Sequence, residues 1–372
     1  MRRLLIAILL LAVVSAVTFF VEQWNFFAPG PAAPKGKGTL VWIKRGQGSA
    51  QIAHQLQDSG VVQNALLFRL GVRLRGKNAA LKAGEYAFPS RASMADVMGI
   101  LAEGKSIQHK ITVAEGLTSQ MIFDIVQRDP ALTAGDKPLA VPEEGALLPE
   151  TYLFTRGTPR GDILARMRNA QRRLVAQLWP KRAAGLPLRG PEDAITLASI
   201  VEKETALPEE RRHIAAVFIN RLRLGMKLQS DPTTIYGITK GYPLGRGLRE
   251  SELAAATPYN TYVIAGLPPT PICNPGKDSI TAVLEPGSSN DLYFVANGAG
   301  GHVFSSSIAE HQQNVALWRQ IEQAKTQAPA AASAPQSEQV LLRGSNDTAP
   351  SAQPPLATKA AVHRHRRHRR AR

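Results

Sequence analysis

The chain has 372 residues, 44% of them apolar and 6% aromatic, with a formal net charge of +16. That apolar content suits two or three modest folded domains. The basic balance arrives without an RNA-binding signature, which sets nucleic acid aside and leaves anionic lipid or acidic cell-wall polymer as partners.

Arg2 and Arg3 precede Leu4 to Val21, a charge-free stretch just long enough to span a bilayer as a helix. Val14-Ser15-Ala16 is a passable cleavage site for a signal peptide. However, the apolar run continues through Phe19 and Phe20, and Trp24, Phe26 and Phe27 would form an interfacial belt. The expectation is an uncleaved anchor over residues 1–27, with the N-terminus cytoplasmic and the body across the membrane. Residues 28–38 (APGPAAPKGKG) are expected to be a Pro/Gly linker that lifts the body off the membrane.

A small α+β region is expected over residues 39–140. Leu40 to Ile43 predicts a strand, Gly46 and Gly48 a turn, and Ser49 a cap for a helix burying Ile52, Ala53 and Leu56. Gly84 to Phe88 leads to Ser93 and a helix through Val97 to Leu101. Ile111 to Val113 repeats the plan, with Gly116, a capping Ser119, and Ile122, Ile125 and Val126. Gly71 to Asn78 mimics a phosphate loop, but Asn78 stands where a metal-binding hydroxyl would be needed, so it reads as a basic loop.

Residues 128–150 are loop-rich. A mixed α/β domain is expected over residues 141–323, with helices over about 160–179, 192–205 and 209–224. Cys273 is the single cysteine, which excludes an intrachain disulfide. It is expected to be a small buried hydrophobe. Residues 324–372 are Ala/Pro-rich and then Arg/His-rich, and are expected to be disordered. The last fourteen hold +7 of the net charge, which suits electrostatic tethering to an anionic surface.

Chemistry concentrates between Ala198 and Ser305: ASIVEKET, VFINRLRLGMKLQSDPTTIYG, TPYNTYVIAGLPPTPICNPG and LYFVANGAGGHVFS. Glu202 lies four residues after Ala198 and seven after Ile195, on the apolar stripe of its helix. Glu204 falls nearer the polar side with Lys203. A carboxylic acid among apolar neighbours has a raised pKa and can donate a proton at neutral pH. Gln229, Ser230, Thr233, Tyr236, Asn260 and Tyr262 offer the amides, hydroxyls and rings that hold sugars. Asp231 is the other well-placed acid, with an ordinary role as a turn or cap residue before Pro232. Pro268-Pro269-Thr270-Pro271 would make a stiff cleft wall. His302 and His311 lack metal-ligand spacing, so neither metal nor cofactor is expected. No SxxK or GxSxG pattern supports acyl transfer.

In order and spacing these four segments resemble the endolytic murein transglycosylases of the MltG (YceG-like) family. The resemblance runs from the N-terminal segment to about residue 320. It implies a LysM-like region before the catalytic domain and cleavage of peptidoglycan glycan strands by a periplasm-facing inner-membrane enzyme. It also implies action beside membrane-bound peptidoglycan synthases. The catalytic acid is expected to be the first acid of VEKE, Glu202. A non-catalytic wall-binding protein of the same fold is the alternative.

Overall fold

The computed structural model describes residues 2–36, 38–136 and 138–327 and has an α+β architecture. Residues 1–322 form one compact unit, and a second begins at Gln323. Most of the expected tail lies outside the described residues.

Helix α1 (Arg2–Phe27) carries the apolar run, and several of its side chains lie outside the described residues. Among the described residues no helix is long and apolar enough to cross a membrane, so the anchor rests on sequence. Residues 28–36 are not a free spacer. Phe26 is sealed into the first core, and Arg75 lies 3.8 Å over its ring. Gly30 donates to the Arg91 carbonyl, Arg91 N–H to that of Pro31, and Ala33 N–H to Ser90 Oγ. A side chain at Gly30 would strike the Ala92 carbonyl, so only glycine allows this strap.

The first core is a hairpin of non-adjacent strands covered by helices. Strand β1 (Thr39–Ile43) precedes α2 (Ser49–Asp58) and α3 (Ala65–Leu74), then β2 (Gly84–Phe88) and α4 (Met94–Glu103). The strands pair antiparallel from Thr39 opposite Phe88 to Ile43 opposite Gly84. Alternate side chains Val41, Ile43, Tyr86 and Phe88 turn inward onto Ile52, Leu56, Phe68, Val97 and Leu101. Ser93 caps α4 as expected, exchanging hydrogen bonds with Asp96. Ser49 does not cap α2: Gly48 takes that place, and Gln51 accepts its N–H.

The second core starts at β3 (Gln108–Thr112) and α5 (Ser119–Arg128). It continues through β4 (Leu132–Thr133), β5 (Thr151–Thr155), β6 (Thr158–Pro159) and α6 (Arg160–Leu178). Strand β3 pairs antiparallel with β5, Gln108 opposite Thr155 through Thr112 opposite Thr151, while β4 and β6 form a short parallel pair. Ile111, Ile122, Val126, Phe154, Ile163 and Met167 fill this core, so the expected boundary at residue 140 falls inside it. Thr118, not Ser119, caps α5, because the Ser119 hydroxyl is spent on the Glu143 carbonyl.

The third core is mostly helical, built from α7 (Pro191–Glu204), α8 (Arg211–Arg223), α9 (Asp231–Thr239), the short α10 (Glu250–Ala254) and α11 (Lys277–Leu284). A hairpin of β7 (Tyr293–Ala296) and β8 (His302–Ser305) follows, then α12 (Ile308–Gln327). Helix α7 is central, with Ala194 and every residue from Thr196 to Val201 buried. Buried Asn274 joins the second and third cores: its Oδ1 accepts from Leu147 N–H, and its Nδ2 donates to Ser119 Oγ and Glu144.

Candidate active site

Two acids leave the last turn of α7 in different directions. Glu202 points toward the junction with the second core, where its Oε2 accepts the Gly276 N–H at 2.9 Å. Its Oε1 is 3.8 Å from Arg211, which also lies 3.7 Å from Glu115 and 3.5 Å from Asp278. Glu202 thus sits in an ionic clasp, and the described contacts pair it with none of the expected sugar-binding residues.

Glu204 lines a cleft of about 560 Å³ together with Arg221, Gln229, Asp231, Tyr262, Tyr293, His302, His311 and Trp318. Its Oε1 accepts a short hydrogen bond of 2.5 Å from the Ser230 hydroxyl. Burial pushes its carboxyl up to about 7, reinforced by the negative charge of Asp231 and opposed by the Ser230 hydrogen bond and Arg221. The expectation that Glu204 faces the polar side therefore fails. In the last turn of α7 only Lys203 is exposed, and Glu204 turns from it toward Ser230 and the cleft.

The expected sugar-binding residues separate into groups. Gln229, Asp231 and Tyr262 line the cleft, and the Tyr262 hydroxyl donates to Asp231 Oδ1 at 2.7 Å. Gln229 holds a left-handed backbone (φ 50°), which turns the chain between α8 and α9. Asp231 is the first residue of α9, with Pro232 behind it. Ser230 is 2% exposed and faces Glu204.

Thr233, Asn260 and Tyr236 turn inward. Thr233 is 0% exposed and donates to the Ser230 carbonyl. Asn260, also 0% exposed, donates to the carbonyls of Glu252, Leu253 and Ala255 and accepts from Thr234 and the Tyr262 N–H. All its hydrogen-bonding capacity is used inside the protein. The Tyr236 hydroxyl donates to half-buried Glu144 at 3.2 Å, away from the cleft. The Pro268–Pro271 run also lies elsewhere, with Thr270 bonded to Tyr259 and Pro271 against Gly145.

The opposite wall comes from residues that no motif singled out. Arg221 is 7% exposed; its Nε donates to the Leu292 carbonyl at 2.6 Å and its Nη1 to that of Leu228 at 2.8 Å. A sequence signal existed, since Arg221 continues the apolar stripe of Ile214, Val217 and Phe218. Tyr293, His311 and Trp318 come from the hairpin and α12, and His311 stacks on Tyr293 at 5.1 Å. The His302 ring and backbone N–H both reach the Glu210 carboxylate at 2.7 Å. The arrangement combines a proton donor poised near neutrality, a neighbouring carboxylate, a buried cation and aromatic rings, in a cleft wide enough for sugar units.

The YceG-like family model matches residues 41–317. The chain is 28% identical over 354 residues to an endolytic murein transglycosylase of Streptococcus pneumoniae (strain D39 / NCTC 7466), covering 82% of this chain but only 63% of that protein. It is 29% identical over 317 residues to an endolytic murein transglycosylase of Bacillus subtilis, covering 76% of this chain and 86% of that one. A YceG-like protein from Listeria monocytogenes, solved by crystallography, is 30% identical and aligns with a TM-score of 0.45, covering 74% of this chain and 98% of that one.

Proposed function

Because the chain belongs to the YceG-like family, we propose that it is an endolytic peptidoglycan lytic transglycosylase with Glu204 as its acid and base. One observation carries this reading: Glu204 lines the cleft, and its carboxyl, pushed up to about 7, is substantially protonated at neutral pH. It protonates the glycosidic oxygen between MurNAc and GlcNAc, and the leaving sugar departs. The carboxylate that remains takes the proton from the C6 hydroxyl of the same MurNAc as that oxygen attacks the anomeric carbon. The product is a 1,6-anhydro-MurNAc end. The nearby internal hydroxyl supplies the effective concentration that a water-activating second carboxylate would otherwise provide.

The Ser230 hydroxyl fixes one oxygen of Glu204, leaving the other for the scissile bond. Gln229, Asp231 and Tyr262 line the strand, and the charge of Asp231 favours the protonated acid. Glu202 has a structural role in this reading. Anchoring by α1 in the inner membrane, a periplasmic body, glycan binding by residues 39–140 and action beside peptidoglycan synthases complete the proposal. Digesting purified uncrosslinked strands tests it by mass spectrometry of the ends. Anhydro ends are expected, reducing ends would mean hydrolysis, and uncut strands would leave a binding protein.

A further inference from the structure

Arg221 is nine-tenths buried, yet it lines the cleft and has no carboxylate within ion-pair distance among the described residues. Its Nε and Nη1 are committed to the carbonyls of Leu292, Lys227 and Leu228 and to Gln229 Oε1. Nη2 makes no hydrogen bond among the described residues and is not sealed from solvent, so its two N–H groups open on the cleft. The Tyr293 ring, 5.3 Å away, covers the guanidinium on one side. A buried cation is costly without an anionic partner, and a planar donor fixed in this way suits a carboxylate.

We infer that Arg221 is a specificity-determining residue that pairs with a carboxylate on the acidic arm of the bound strand, distinguishing muramyl-containing glycan from a neutral polysaccharide. The inference rests on the proposed substrate and deepens it. A muramic residue carries a lactyl ether whose carboxyl is either free or extended by a peptide with carboxylates of its own. Either source supplies the same chemistry at Nη2. Were Arg221 only a brace for residues 227–229 and 292, the charge of the strand would not matter.

The main arm of the test varies the charge of the ligand and leaves Arg221 in place, because replacing it would also release the Leu228 and Leu292 carbonyls. Full-length Glu204→Gln protein in detergent is titrated calorimetrically with short muramyl oligosaccharides in four forms: stem-bearing, stem-bearing with amidated carboxyls, stem-free with a free lactyl carboxylate, and stem-free as the lactyl methylamide. Neutralisation should weaken binding about tenfold in the pair whose carboxylate Arg221 reads, which identifies the source. Arg221→Lys should narrow that difference, since the fixed fork is lost. Equal affinity within both pairs, or no binding of any form, would overturn the inference. Charge-dependent binding with no cleavage by the unsubstituted protein would remove the lyase reading and leave Arg221 its role.

Discussion

Ser230 gives its hydroxyl hydrogen to Glu204 across 2.5 Å, and that contact joins the end of α7 to the start of α9. The Ser230 backbone is held in turn, its N–H donating to Thr261 Oγ1 at 2.9 Å. The acid is therefore oriented by a buried serine that is itself fixed, which limits the rotamers Glu204 can sample. A proton donor held this way loses little freedom when a strand arrives.

Replacing Glu204 with Gln should reduce strand cleavage by about three orders of magnitude or more, because one group serves both proton transfers. Glu202→Gln should keep cleavage within about threefold, since the amide oxygen can still accept from Gly276 N–H. Release of anhydro ends, with circular dichroism to verify folding, checks both. The reverse outcome would return the acid to Glu202.

Cleavage should fall as pH rises through about 7, where Glu204 loses the proton it must donate. The sign for stability is the same. A carboxyl raised from 4.5 to about 7 contributes stability that is fully present below 4.5 and lost as pH climbs through about 7. Asp231→Asn removes a charge that raises this pKa, so the alkaline limb of kcat/KM should move to lower pH. A pH profile of both proteins decides it, and an unmoved limb would separate Asp231 from the acid.

Asn260→Ala should destabilise the fold by about 2–4 kcal/mol, because three partly buried carbonyls and an N–H lose their partner together. Urea unfolding measures this loss. A sugar-contacting residue would instead raise KM and leave the unfolding midpoint in place.

Phe26→Ala should cost about 3 kcal/mol, since the ring is sealed within the first core beneath Arg75. Thermal unfolding of full-length protein in detergent provides the readout. A fragment starting near Lys37 should share the defect, whereas one starting at Gln23 should not.

Much of this architecture was legible from periodicity. The strand over Leu40 to Ile43, helix α6 and the Ser93 cap follow from residue pattern, helical spacing and capping chemistry. The choice between Glu202 and Glu204 was not. A stripe argument needs a dry face and a wet face, and in the last turn of α7 only Lys203 is exposed, so the two acids, both partly buried, differ by which neighbours fold against them. Asn260 and Thr233 show the same limit: their polar groups suit a sugar equally well, and only long-range packing assigns them to backbone partners. Arg221 was readable as an arginine on an apolar stripe, but its cleft is closed by α12, far along the chain.

The strap from Phe26 to Ala33 bears on reach. If α1 is embedded in a bilayer, the body hangs on no leash: two backbone hydrogen bonds to Arg91, one to Ser90 and a sealed ring fix its standoff. The cleft would then sweep a thin slab at one height above the lipid, and only glycan passing through that slab could be cut. Inserting extra residues between Phe27 and Gly30 would change where cuts fall only after the strap itself had been pulled from the first core.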